Sequence, residues 1–201
     1  LNLFDHNGII GERNKLLYNK FSEATNSLDQ IIKDMNDLLH IKDSIQFKFS
    51  QVLISEVFDL AHKSIDSKLA SINAELAVDF SSESHVLAYK PYMLSIMQNL
   101  LSNAIKFRDK NKVLKIEVFV STESHDIQCL TFKDNGIGIN LEKNRDKLFK
   151  LYSRFQRDLS GSGIGLYLVN EQIKAQQGRI EIQSQLGLGT EFKLFFNIKK
   201  N

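Results

Sequence analysis

The residues best able to do chemistry fall in four short segments between Asn99 and Thr190. They are Asn99-Leu100-Leu101-Ser102-Asn103-Ala104-Ile105-Lys106-Phe107, Asp134-Asn135-Gly136-Ile137-Gly138-Ile139, Gly161-Ser162-Gly163-Ile164-Gly165-Leu166 and Gly187-Leu188-Gly189-Thr190. Any one alone is weak evidence: Asp-Asn-Gly is a common turn, and a polar helix face is usually a solvated one. In this order they supply an acceptor for an exocyclic amine, amide oxygens for a hard cation, a glycine-rich loop and a helix start. Those are the parts that a purine nucleoside triphosphate needs.

Asn99, Asn103 and Lys106 stand at i, i+4 and i+7, on one face of their helix, while Leu100, Leu101 and Ile105 take the other. Amide oxygens can ligate Mg²⁺ without making the pocket anionic, and a lysine offers a point charge to phosphate. Asp134 ends a strand on the same side as Leu130 and Phe132, so its carboxylate is directed inward and needs a donor; the amine of adenine is one. Gly136 and Gly138 allow the backbone to approach a planar base. Gly161, Gly163 and Gly165 precede an apolar helix with Ile164, Leu166, Leu168, Val169 and Ile173. Free N–H groups at such a start point at an anion and the helix dipole assists them. No Gly-Lys-Ser/Thr follows and no strand directly precedes, so this is neither a Walker loop nor a dinucleotide fingerprint.

These segments need positioning. Residues 12 to 44 read as one long helix, with Leu17, Phe21, Ala24, Leu28, Ile31, Met35 and Leu38 at heptad spacing and Ile32 and Leu39 widening the stripe. Such a seam suits a bundle and predicts partner helices. A strand is expected over 47 to 53, a helix over 54 to 69, and strands over 75 to 80 and 86 to 89. Pro91 opens a helix running to about Phe107. Strands over 114 to 121 and 126 to 133 follow, then a polar loop from 140 to 162 with a short helix near Arg145 to Leu148. A helix from Gly163 to about Gln176 leads into a hairpin of 179 to 185 and 190 to 198, turned by Gly187 and Gly189. The fold class expected is α+β: a two-layer α/β sandwich, its mixed, largely antiparallel sheet carrying helices on one face, preceded by the bundle-forming helix. The boundary falls near residue 45, dividing 1–45 from 46–201.

Composition excludes several classes. Hydrophobic content of 42% and charged content of 25% are globular values. A net charge of +2 offers no broad basic field for nucleic acid. The single cysteine, Cys129, forms no internal disulfide and fits a reducing compartment. No apolar run reaches the roughly 18 residues of a membrane span, so no membrane contact and a cytoplasmic location are expected for this stretch. The chain begins at Leu1, not Met, and is read as a piece of a longer protein that can carry sensor or membrane segments.

The four segments together resemble the ATP-binding domain of two-component sensor histidine kinases, within the wider GHKL superfamily that includes DNA gyrase and heat-shock chaperone ATPases. The resemblance covers roughly residues 47 to 198, and the preceding helix also fits. It implies that the chain binds ATP and Mg²⁺. Asn103 would ligate the metal, with Asn99 beside the phosphates and Lys106 on them. Asp134 would bind the adenine amine, with Gly136, Gly138 and Ile139 in that wall and Phe107 beside it. Phe149, Tyr152 and Phe155 resemble an aromatic box before a lid, and Arg154 within it would reach the terminal phosphate. Gly161, Gly163, Ile164, Gly165 and Leu166 would hold the phosphates, and Gly187, Gly189 and Thr190 would close the adenine side. The partners implied are a second copy, through helix 12–44, and a response-regulator receiver domain.

In the gyrase-like and chaperone-like relatives, the residue four before the metal asparagine is a glutamate that acts as general base for water. Here it is Asn99, and an amide takes no proton at neutral pH. That favours a kinase over an ATP-driven machine. Asn99, Lys106 and Arg154 are the catalytic candidates. Kinases of this type carry the accepting histidine in a His-Glu/Asp-x-Arg-x-Pro-like segment, and none is present. His6 precedes Asn7-Gly8, the only proline is Pro91, and His40, His62, His85 and His125 lack that context. The acceptor is therefore expected upstream of Leu1, with the long helix as the second of its hairpin. Two other readings stay open: a degenerate nucleotide-binding signalling module, and a serine kinase of the anti-sigma type.

Overall fold

A computed structural model describes residues 12–42, 48–80, 84–151 and 163–199 of the chain. The elements run α1 (Glu12–Lys42), β1 (Ser50–Leu53), α2 (Ile54–Lys63), α3 (Asp66–Ser71), β2 (Glu75–Asp79), β3 (His85–Ala88), α4 (Lys90–Lys106), β4 (Lys115–Ser124), β5 (Ile127–Asp134), α5 (Leu141–Asn144), α6 (Gly165–Ala175), β6 (Arg179–Gln185) and β7 (Gly189–Asn197). From β1 onward each lies within a few residues of the element expected from the sequence, with one exception.

That exception is the helix expected over 54 to 69. It breaks into α2 and α3 because the Ser64 hydroxyl donates to the Ala61 carbonyl at 2.7 Å, the same oxygen that the Ser64 N–H approaches. A serine that bonds back in this way competes with the helical ladder. Ile65, with φ of −127°, then leaves the helical region before α3 begins.

Five strands form the main sheet in the order β2-β4-β5-β7-β6; only β2 with β4 is parallel, and β1 and β3 pair separately. One face of this sheet is apolar by strict alternation: Ile116 and Val118, Leu130 and Phe132, Phe192, Leu194 and Phe196 are all buried. Against it pack α2, α4 and α6 through Val57, Phe58, Met93, Ile96, Met97, Leu100, Leu101, Val169 and Ile173. The opposite face carries cross-strand ion pairs, Lys115 with Glu75 at 2.7 Å and Lys133 with Glu117 at 3.2 Å. The expected one-sided, mixed and largely antiparallel sandwich is what forms.

Helix α1 packs against α6, and one of its faces stays exposed. Leu17, Phe21, Leu28, Ile32, Met35 and Leu39 are 45% to 64% exposed, with Ala24 exposed among them. Ile31 and Leu38 are half-buried, on the side of the buried Asp34. The free stripe therefore substitutes Ile32 and Leu39 for the expected Ile31 and Leu38. Its spacing of 4, 3, 4, 4, 3 and 4 follows the 3.6-residue turn of a straight helix more closely than a strict heptad does.

Candidate functional site

Helix α4 supplies the polar face. Asn99, Asn103 and Lys106 are each half-buried, above the buried Leu100, Leu101 and Ala104. Asn99 is oriented by its own helix: its Nδ2 donates to the Ser95 carbonyl at 3.0 Å. That turns its oxygen toward the first residue of α6, where a Cβ on Gly165 would stand 2.7 Å from Asn99 Oδ1. The Asn103 side chain has no hydrogen-bond partner among the described residues, so its amide is available to a ligand. Lys106 Nζ lies over the Phe107 ring, 4.7 Å from its centroid.

Helix α6 starts without a capping side chain and without an acidic residue in its first turn. An anion at such a start would find backbone donors and the positive end of the dipole together.

At the end of β5, Asp134 is 8% exposed. Gly136 N–H donates to its Oδ1 at 2.8 Å. Burial pushes this carboxyl above the usual range, while the Gly136 and Thr190 backbone N–H groups pull it back down. The segment after it is clamped from two sides. Ile137 N–H donates to the Phe107 carbonyl at 3.0 Å, and Gly187 N–H donates to the Ile137 carbonyl at 2.8 Å. Gly138, at φ of +68°, leaves no room for a Cβ against the Gln185 carbonyl, and Gly189, at φ of +108°, abuts the Asp134 carbonyl in the same way. A Cβ on Gly136 would meet the Phe107 carbonyl at 2.5 Å. The glycines of two segments thus let three backbones meet at one place, around Asp134.

The described site residues come together in two groups. Phe107, Asp134, Gly136, Gly138, Ile139, Gly187, Gly189 and Thr190 form one end. At the other, Asn99 meets Gly165, with Asn103 and Lys106 further along α4 and Gly163, Ile164 and Leu166 flanking Gly165 in the chain. Phe149 is half-buried beyond a short turn that α5 opens, capped by the Asn140 side chain accepting from Lys143 N–H at 3.0 Å. Tyr152, Arg154, Phe155 and Gly161 lie outside the described residues.

Three supporting residues escaped the sequence reading. Asn135 accepts from Lys115 N–H at 2.8 Å and donates to the Val113 carbonyl at 2.9 Å, tying the Asp134 segment to the start of β4. Lys112 Nζ donates to the Gly187 carbonyl at 2.9 Å. Ser184 accepts from Ile139 N–H at 2.8 Å. A signal for Ser184 existed: it follows Ile180 and Ile182 on the inward side of β6, where the alternation calls for an apolar residue. Cys129 is buried, its thiol pushed up by that burial, and takes no part.

The residues fit a magnesium nucleotide on their own chemistry. The described residues contain no cluster of three His, Cys, Asp or Glu side chains that could hold a metal unaided. An unpartnered amide, a cation and uncapped helix donors suit a metal that is carried mainly by phosphate. No helix among the described residues is long and apolar enough to cross a membrane.

Residues 90–200 match the family described as histidine kinase-, DNA gyrase B- and HSP90-like ATPase. The histidine protein kinase SaeS of Staphylococcus epidermidis is 25% identical over 182 residues, 88% of this chain and 51% of that protein. The chain thus spans about half the length of this curated relative. Among solved structures, the Acinetobacter baumannii histidine kinase AdeS aligns with a TM-score of 0.75 at 17% identity, over 96% of this chain and 89% of that one. Full-length ShkA, in complex with AMPPNP, aligns with a TM-score of 0.71 at 21% identity, over 97% of this chain and 41% of that one. The fold likeness therefore includes α1.

Proposed function

The chain belongs to the histidine kinase-, DNA gyrase B- and HSP90-like ATPase family, and we propose that it is the catalytic part of a sensor histidine kinase, with the second helix of a dimerisation hairpin attached. Residues 1–45 belong to the hairpin and residues 46–201 to the ATP domain. The substrate is Mg·ATP. Asp134 takes the adenine amine, with Gly136, Gly138, Ile139, Phe107 and Thr190 around the base. Asn103 would hold the Mg²⁺, with Asn99 beside the phosphates. Lys106 and Arg154 neutralise phosphate charge, and Gly161 to Leu166 offer backbone donors. Bound Mg²⁺ would supply charge neutralisation across the β- and γ-phosphates.

The reaction joins a histidine nitrogen to the γ-phosphorus and breaks the bond to the bridging oxygen. ADP leaves, and the imidazole proton passes to solvent. The phosphoryl group then goes to an aspartate on a response-regulator receiver domain. Most of the catalysis is positioning and electrostatics. A second copy completes the bundle through the free stripe of α1, and the reaction runs in the cytoplasm, where ATP is available.

One observation carries this reading over an ATP-hydrolysing machine. The side chain beside the α6 start is the carboxamide of Asn99, held by Ser95. It has no basic site with which to activate water, so the phosphoryl group is kept for another acceptor. Calorimetric titration with ATP, with and without Mg²⁺, tests the nucleotide end. Binding is expected to need Mg²⁺ and to lose that dependence in Asn103→Ala. Equal affinity with and without the metal would remove Asn103 from its role.

A further inference from the structure

Register pairing sets Ser184 of β6 opposite Thr190 of β7, and Thr190 opposite Asp134 of β5. Three polar side chains therefore stand in one row on the face that carries the helices. The next row inward is Ile182, Phe192 and Phe132, which is what that face demands elsewhere. Polar residues that interrupt an apolar face in register call for a function.

The Ser184 hydroxyl lies 2.8 Å from Ile139 N, 2.8 Å from the Gly189 carbonyl oxygen and 2.9 Å from Thr190 Oγ1. A serine hydroxyl has one proton and two lone pairs. Ile139 N–H occupies one lone pair. The Gly189 carbonyl brings no proton, so the Ser184 proton goes there. The second lone pair then accepts the proton of Thr190. Only this arrangement makes all three contacts hydrogen bonds. It turns the Thr190 proton toward Ser184 and leaves the Thr190 oxygen as an acceptor on the residue paired with Asp134, whose carboxylate is another acceptor.

We infer that Ser184 is a positioning residue for purine selectivity: by holding the Thr190 proton, it makes the row beside the base present acceptors only. Facing the purine 6 position, such a row suits the amino group of a 6-amino purine and repels the oxygen of a 6-oxo purine. The inference rests on the reading of Asp134 as the base-binding residue.

The test is the ratio of affinities for Mg·ATP and Mg·inosine triphosphate, which differ only at the purine 6 and 1 positions. The wild-type chain is expected to prefer ATP. Ser184→Ala frees the Thr190 proton to turn toward the ligand, and is expected to reduce the preference by about fivefold, the worth of one hydrogen bond. Ser184→Thr keeps the hydroxyl and the ratio. In a Thr190→Val background, Ser184→Ala should leave the ratio unchanged, because the residue through which it acts is gone. Should Ser184→Ala not fold, Ser184→Cys gives the same readout, since a thiol accepts poorly. Equal weakening of both nucleotides at an unchanged ratio would overturn the inference and reduce Ser184 to a tie between the hairpin and the Ile139 segment. A wild-type chain that binds both nucleotides equally would instead sink the reading of Asp134, and this inference with it.

Discussion

A Cβ on Gly165, the first residue of α6, would stand 2.7 Å from the carboxamide oxygen of Asn99 in the middle of α4. No backbone atom comes that near, so an added methyl would be accommodated by displacing the asparagine. The cost is about 1 kcal/mol for the Nδ2 bond to Ser95, which the better helix propensity of alanine offsets by a similar amount. Gly165→Ala should therefore leave the melting temperature nearly unchanged while weakening Mg·ATP binding and phosphotransfer by about tenfold. Unchanged nucleotide binding at unchanged stability would show that Asn99 does not need its place.

Asp134 links the site to stability. Because burial leaves its folded pKa raised, the ionised form is the costly one in the fold. Its favourable contribution is complete below the ordinary carboxylate value and is lost as pH rises through the raised value. Asp134→Asn carries no such charge. In nucleotide-free protein the variant's melting temperature relative to wild type should be highest near pH 7, and the difference should shrink as the pH falls toward about 4. The same variant should bind ATP more weakly. A gap that widens on acidification would mean that the N–H groups of Gly136 and Thr190 outweigh burial.

Gly189 is the least replaceable glycine of the hairpin. Its φ of +108° suits no β-carbon, and the Asp134 carbonyl occupies the space. Gly189→Ala should cost about 1–3 kcal/mol from the backbone conformation alone, read as a lowered midpoint in denaturant unfolding. Gly187→Ala, at φ of +77°, carries backbone strain of its own but meets nothing within 4 Å, and should cost less. Equal losses would mean that close approach to Asp134 does not matter.

Much of this was legible in the sequence, and the misses have physical causes. Asp134 was readable because strand parity with Leu130 and Phe132 turns it inward whatever the tertiary context. The β6–β7 hairpin was readable because glycines flank a clean alternation. The break between α2 and α3 was not, since one Ser64 hydroxyl bond decides it and serine occurs in intact helices too. The heptad spacing puts Ile31 and Leu38 on the free stripe of α1, because a period locates a face without saying which edge of it the fold covers. Here that edge is half-buried on the side of Asp34. The roles of Asn135 and Lys112 depend on backbone carbonyls remote in sequence, which no local pattern encodes.

The free stripe of α1 predicts association. Leu28→Lys with Ile32→Lys should convert a dimer to a monomer in sedimentation equilibrium, because both residues lie on the exposed side. Ile31→Lys should disturb the packing near Asp34 instead, lowering the melting temperature more than the association constant. A wild-type monomer at high concentration would contradict the bundle role.

We propose that this site withholds the γ-phosphoryl group from water and passes it to a histidine on another helical segment. The direct measurement incubates the chain with γ-labelled Mg·ATP, alone and with a helical segment bearing a His-Glu/Asp-x-Arg-x-Pro sequence that can complete the bundle. Label on protein and free phosphate are followed together. Slow phosphate release and no label on the chain alone are expected, then acid-labile label on the supplied histidine, abolished by Asn103→Ala. Rapid phosphate release without any labelled histidine, or acid-labile label on His6 in the chain alone, would contradict it.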